Sequence, residues 1–300
     1  MSSETGHHDP LDPGHLFGHV QDAHHFELPH ALADEGKLHI WQPFEPFVDE
    51  VLLKADPDFH LAPFDMRVSK FMLLEVVAAV LLIFFFIGLA RKISDGTPAR
   101  GKWANILESM LVFIRDEVAR PAIGRDDADR FLPFLWTMFF FVLICNLIGL
   151  VPWAGSATGA LGTTFTLAMI TFSVVLTAGM RKMGPVGFWK SLVPHMELPL
   201  PLALFLLPMI FLIEIAGLLI KHVVLAVRLL ANMVAGHLVL AVLLAFILAS
   251  SHHIAFLGVA PVAVVGASAL TLLELLVAFL QAYIFTFLSA LFIGTAIHPH

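Results

Sequence analysis

Of the 300 residues, 58% are apolar and only 14% are Asp, Glu, Lys or Arg, and a mean hydropathy of +0.86 excludes an ordinary soluble globular domain. The net charge of -7 gathers at one end: residues 1–70 hold 13 of the 24 acids and 9 of the 16 histidines, whereas residues 131–300 hold three acids and five Lys or Arg. The missing basic surplus argues against a nucleic-acid partner, and the single Cys145, inside an apolar run, excludes an intrachain disulfide and reads as a small packing residue.

Residues 1–67 are rich in His, Asp and Pro, with short apolar stretches such as Ile40-Trp41 and Val51-Leu52-Leu53. They read as a polar, loosely ordered leader with at most one docked segment. Met1–Pro10 has neither a basic start nor an apolar run, so the first span is expected to direct its own insertion. The pairs His7-His8 and His24-His25 invite a metal, but no Cys joins them and the spacing fits no structural zinc pattern, so no metal site is expected.

Residues 68–300 form the membrane body. A hydrocarbon core of ~30 Å requires ~20 apolar helical residues, and Phe71–Ala90 supplies them despite Glu75 near its start. Arg91 and Lys92 stop this span, and residues 91–130 carry eight Lys or Arg. The positive-inside tendency makes that loop cytoplasmic and the leader non-cytoplasmic. Within the loop, Trp103, Ile106, Leu107, Met110, Leu111, Ile114 and Val118 recur at helical spacing before Pro121, which predicts an amphipathic helix at the membrane surface.

Phe131–Trp153 is a second span without charge, and the small, Gly-rich link 154–162 suits a tight external turn. Thr163–Met180 returns, and Arg181, Lys182 and Lys190 mark another inside loop. Two longer apolar stretches follow, 198–250 and 254–297. A continuous helix of the second length would reach ~66 Å, twice the hydrocarbon thickness, so each stretch must break or tilt steeply. Pro199, Pro201 and Pro208 in one, and Gly258, Pro261 and Gly266 in the other, offer bends near the starts. A loop at Lys221-His222 would instead give six spans rather than five.

A charge at mid-membrane costs ~2.5 to 3.5 kcal/mol on the insertion scale, so Glu214, Lys221, Arg228, His237 and Glu274, with the amides Asn232 and Gln281, each require a reason. Residues seven apart on a helix differ by only ~20° in direction and residues four apart by ~40°. Glu214, Lys221 and Arg228 at successive sevens, and Asn232 four further on, therefore share one face. Glu274 and Gln281 share a face of the last helix. His237 lies about half a turn around from Arg228 and ~13.5 Å along the axis, so it lines a different crevice. Lys221 could equally snorkel to an interface. Arg228 has no Asp or Glu within seven residues on either side, and a permanently charged guanidinium calls for an anion, which another subunit can bring. Glu274 and His237 are titratable and suited to proton relay.

The string Arg228-Leu-Leu-Ala-Asn232-Met-Val-Ala-Gly236-His237 resembles the RLxxNxxAG signature of subunit a of the F-type ATP synthase. The resemblance extends to Glu214 and Lys221, to Asn146 in Cys145-Asn146-Leu-Ile-Gly-Leu-Val-Pro152, and to Leu280-Gln281-Ala282-Tyr283-Ile284-Phe285, and it covers residues 68–297 but not the leader. It implies an all-α polytopic membrane fold with five spanning helices, the last two long and inclined around a ring of c subunits. It implies that Arg228 is the essential coupling arginine and that Asn232 and Gln281 are amides near it. Glu214, Lys221, His237, Glu274 and Asn146 then line the proton path. In some relatives the acid and the His occupy the opposite helices, so the exchanged pair His237 and Glu274 is expected to face each other. Gly149 stands where some relatives have Asp, which speaks against an ion-path role there.

The same resemblance implies a bacterial inner-membrane location with the C-terminus cytoplasmic, partners in the c-ring, the b-type peripheral stalk and the rest of the ATP synthase, and no cofactor. Nucleotide chemistry lies elsewhere in such a complex, since no GxxxxGK[ST] phosphate loop occurs here. Two rivals come from other classes: a stand-alone secondary transporter, which predicts an internal repeat that the sequence lacks, and a haem-binding subunit using His195, His222 or His237.

Overall fold

The computed structural model describes residues 25–27, 37–40, 69–93, 101–151, 156–191, 200–250 and 256–298. Two short strands, β1 (His25–Glu27) and β2 (Lys37–His39), pair antiparallel with Phe26 opposite Leu38. All other regular structure among the described residues is helical. His7, His8, His24, Trp41, the 51–53 stretch and His195 lie outside the described residues.

The first span is α1 (Lys70–Ile93), three residues longer at its end than the hydropathy of 71–90 suggested. The amphipathic stretch forms α2 (Lys102–Phe113), but it does not run as one α-helix to Pro121: residues 114–119 adopt the wider π form and a short α3 (Arg120–Ile123) follows. Pro121, which has no N–H to give to the helix ladder, follows directly on the π segment, where the i to i−4 pattern is already interrupted. Ala104, Ile114 and Val118 are buried, whereas Trp103 is 82% exposed and Ile106 is exposed as well. The apolar stripe is thus only partly consumed by the chain's own packing.

The second span, α4 (Arg125–Gly149), starts six residues before Phe131, because the charged segment 125–130 is itself helical. Asp126 and Asp127 in its first turn complement the helix dipole. A 3-10 turn at Ala157–Gly159 leads into α5 (Leu161–Met183), and a short α6 (Pro185–Ser191) follows that hydropathy gave no sign of.

The two long stretches are α7 (Leu200–Ser250) and α8 (Phe256–Ile297), of 51 and 42 residues. α7 passes unbroken through Lys221-His222, which removes the six-span alternative. Among the described residues five helices are long and apolar enough to cross a membrane, so the protein is an all-α polytopic membrane protein.

The chain divides into two compact units. One comprises residues 1–80, 145–160 and 233–276, and there Phe71, Leu74 and Ala157 form a buried cluster against which Ile148 and Ala160 pack. The other comprises residues 81–144, 161–232 and 277–300. In this second unit Leu89 and Ala104 pack with Leu107 and Leu111, and the Trp136 indole donates to the Leu111 carbonyl at 3.1 Å. Ile123, Leu135, Leu225, Leu229, Phe285 and Ile293 are fully buried within it.

Candidate ion-path residues

The second unit contains the arginine and the residues read with it. Around Arg228, α7 is strongly two-sided: His222, Leu225, Ala226 and Leu229 are buried, while Glu214, Lys221, Arg228 and Asn232 are exposed. The file of polar residues at intervals of seven and four falls on one side of the helix, as helical geometry requires. Glu214, Lys221 and Arg228 make no hydrogen bond or ion pair among the described residues. At seven residues, ~10.5 Å of rise separates each of these charges from the next, too far for a direct pair along the helix. Among the described residues, Arg228 therefore presents a guanidinium without a paired acid on the flank of an apolar helix.

One turn beyond it, Asn232 Nδ2 donates to Gln281 Oε1 at 2.9 Å. Gln281 is 3% exposed, and its buried Nε2 has no hydrogen-bond partner among the described residues. The structure thus brings together Asn232 and Gln281, two residues that α7 and α8 contribute from sequence positions 49 apart.

His222 is wholly buried, with its ring centroid 5.1 Å from that of Phe172 and 5.0 Å from that of Phe292. Its Nδ1 lies 2.8 Å from the Leu218 carbonyl, and its Nε2 is buried without a partner among the described residues. A ring packed between two phenyl groups is a filler of the helix interface, and this geometry does not favour the haem-ligand alternative.

In the first unit, Glu274 is half-buried, and its carboxylate packs directly against Gly236. A Cβ at position 236 would collide with Glu274 Oε1, so the glycine is what allows the carboxylate this close to α7. His237 follows in sequence and is also half-buried, with Nε2 buried and unpartnered among the described residues. Glu274 thus meets α7 at the residue next to His237. No hydrogen bond joins the two side chains among the described residues.

Asn146 is fully buried on the same unit's share of α4. Its Oδ1 accepts from Thr158 Oγ1 at 2.8 Å, and Thr158 is in turn 2.9 Å from Ser156 Oγ. The three polar side chains are linked in a row within an apolar setting. Ser156 and Thr158 carry no signal in the sequence beyond membership of a small, Gly-rich link suited to a tight turn. Gly149 is confined as well: a Cβ there would stand 2.8 Å from both Ser156 Cβ and Met233 Cε. An acid at that position would require this packing to open, a physical reason for the glycine.

Residues 72–294 match the family model described as ATP synthase A chain. ATP synthase subunit a of Myxococcus xanthus is 41% identical over 239 residues, which cover 79% of this chain and 76% of that protein. ATP synthase subunit a of Chloroherpeton thalassium is 40% identical over 295 residues, 97% of this chain and 78% of that protein. The subunit a of Anaeromyxobacter dehalogenans strain 2CP-C is 37% identical over 302 residues, covering 100% and 74%.

Proposed function

This chain belongs to the ATP synthase A chain family, and we propose that it is the stator subunit whose Arg228 couples proton flow to rotation of a c-ring. As a multi-pass membrane subunit of ATP synthase it serves ATP synthesis and ion transport. The observation that carries the finer reading is the exposed Arg228 guanidinium on α7, without an acid of its own among the described residues.

The mechanism follows from electrostatics. A carboxylate on a ring subunit is too costly to ionise against lipid, so it travels there protonated and releases its proton only beside this chain. Arg228 favours that release by offering the opposite charge, and its permanent positive field repels protons that would otherwise pass straight across. Protons must then enter and leave by two offset half-channels, and net transfer requires the ring to turn. A membrane potential contributes ~2.3 kcal/mol per proton for each 100 mV, which biases that rotation.

In this reading Glu214, Lys221, His237, Glu274 and Asn146 line the half-channels. Asn232 and Gln281 hold the neighbourhood of Arg228. The leader (1–67) lies on the non-cytoplasmic side of a bacterial inner membrane, residues 68–300 translocate protons, and the C-terminus is cytoplasmic. α7 and α8 lie inclined along the c-ring, and b-type stalk subunits hold the chain against rotation.

The deciding experiment replaces Arg228 by Ala and measures proton-driven ATP synthesis in membrane vesicles. Synthesis should be lost while the chain is still inserted and still co-purifies with an oligomeric ring of small two-helix subunits. Synthesis near the wild-type rate would defeat the assignment of Arg228.

A further inference from the structure

Along α5 runs an open groove of about 630 Å³, walled by Phe131 and by Phe165, Met169, Ile170 and Val174. Two hydroxyls on this wall are turned back into their own helix: Ser173 Oγ donates to the Met169 carbonyl at 2.8 Å and Thr177 Oγ1 to the Ser173 carbonyl at 2.6 Å. What remains facing the groove is mostly carbon.

One end is cationic, lined by Arg130, Arg181 and Lys182. Lys182 is committed to Asp127 at 2.8 Å, and His298 Nε2 approaches the same carboxylate at 3.5 Å. The one acid of the lining is thereby neutralised. Arg130 and Arg181 are exposed and make no hydrogen bond or ion pair among the described residues. From Phe165 to Arg181 the groove follows ~24 Å of helix, more than the ~15 Å of one leaflet's hydrocarbon.

We propose that this groove seats one phospholipid with an anionic headgroup, its phosphate held by Arg130 and Arg181 and its acyl chains lying along α5. Charge complementarity selects this occupant. A soluble anion would leave the apolar length unfilled, and a zwitterionic lipid would answer the phosphate preference of two guanidiniums but bring its own ammonium beside them and leave their net charge of two undiminished, whereas an anionic headgroup lowers it. Basic pockets between membrane helices select anionic headgroups on the same physical grounds. The site is independent of Arg228 and of the coupling mechanism.

The test compares phosphatidylglycerol with phosphatidylcholine in nanodiscs of mixed composition holding the purified full chain, with the retained lipid counted by native mass spectrometry. Wild type should enrich phosphatidylglycerol by about fivefold or more. Arg130→Gln with Arg181→Gln should abolish the enrichment, and Arg130→Lys with Arg181→Lys should keep most of it, which separates loss of charge from loss of fold. Lys102→Gln with Lys190→Gln, which removes two charges elsewhere, should leave it unchanged. Equal retention of both lipids by wild type, or an equal loss in the Lys102 and Lys190 variant, would overturn the proposal. So would a photoreactive benzophenone side chain at Val174 that, in membranes holding the assembled complex, attaches to a polypeptide rather than to lipid.

Discussion

The side-chain amide of Asn232 donates to the side-chain oxygen of Gln281 at 2.9 Å, fastening α7 to α8 one helical turn past the exposed guanidinium of Arg228. Gln281 is buried and its Nε2 has no other partner among the described residues. This bond is accordingly the only one described for the Gln281 side chain.

Asn232→Leu should therefore destabilise the protein by ~1–3 kcal/mol, the cost of leaving a buried amide oxygen without its donor. Asn232→Leu combined with Gln281→Leu should recover much of that loss, since replacing both partners with apolar groups removes the orphan. Thermal unfolding of the purified protein reads this difference. If the amides also hold the surroundings of Arg228, as proposed, proton-driven ATP synthesis should stay impaired in both variants. Full synthesis in the double variant would show that the pair is structural only.

Glu274→Gln keeps the shape of the side chain but removes its capacity to take up and release a proton. If the carboxylate serves in the proton path, ATP-driven proton pumping into vesicles should slow by about tenfold or more, while assembly with the ring is retained. An unchanged rate across the pH range would remove Glu274 from the path.

The first three spans were readable in the sequence because a bilayer sets a harsh criterion, about twenty apolar residues for each crossing, whereas hydropathy left one or two crossings open across Lys221-His222 until the unbroken α7 settled it. The single face shared by Glu214, Lys221, Arg228 and Asn232 was readable too, since helical spacing fixes direction whatever surrounds it. Local chemistry misled where charge is compatible with helix. Residues 125–130 look like loop yet form the first turns of α4, where Asp126 and Asp127 meet the positive end of the dipole. Contacts distant in sequence were out of reach. Nothing in the spacing tells that Thr158 bonds Asn146, that His222 fills a gap between Phe172 and Phe292, or that Gly236 yields its side-chain volume to Glu274.

Outside the spans, Asp116 receives two bonds from Arg115, Nε to Oδ1 at 3.0 Å and Nη2 to Oδ2 at 3.1 Å, and one from Arg120 Nη1 at 2.7 Å. The Arg115 hydrogen bond, supported by the charges of Arg115 and Arg120 and opposed by desolvation, holds the Asp116 carboxyl below its ordinary range. A carboxyl lowered on folding stabilises the native state at all pH values above its unfolded pKa, and the contribution fades as pH falls through the folded one. The thermal midpoint should thus drop more steeply on acidification in wild type than in Asp116→Asn, and high salt should narrow the difference because the cluster is partly exposed. Parallel pH profiles for the two proteins would show that the cluster contributes nothing.

Gly236→Ala tests whether Glu274 works from the place the glycine gives it. The added methyl group would occupy the position of the carboxylate oxygen, so either the Glu274 side chain swings away or the helices part, at ~1–3 kcal/mol of overpacking. If the carboxylate conducts from that place, Gly236→Ala should slow proton pumping in the same direction as Glu274→Gln. The combined variant should be scarcely slower than Glu274→Gln alone, because two changes acting through one contact do not add. Fully multiplicative losses in the double-mutant cycle would mean that position 236 acts through something else, such as the setting of His237 beside it. A shift in the pH dependence of pumping in Gly236→Ala distinguishes a displaced proton carrier from a general loosening of the helices, which lowers the rate at every pH alike.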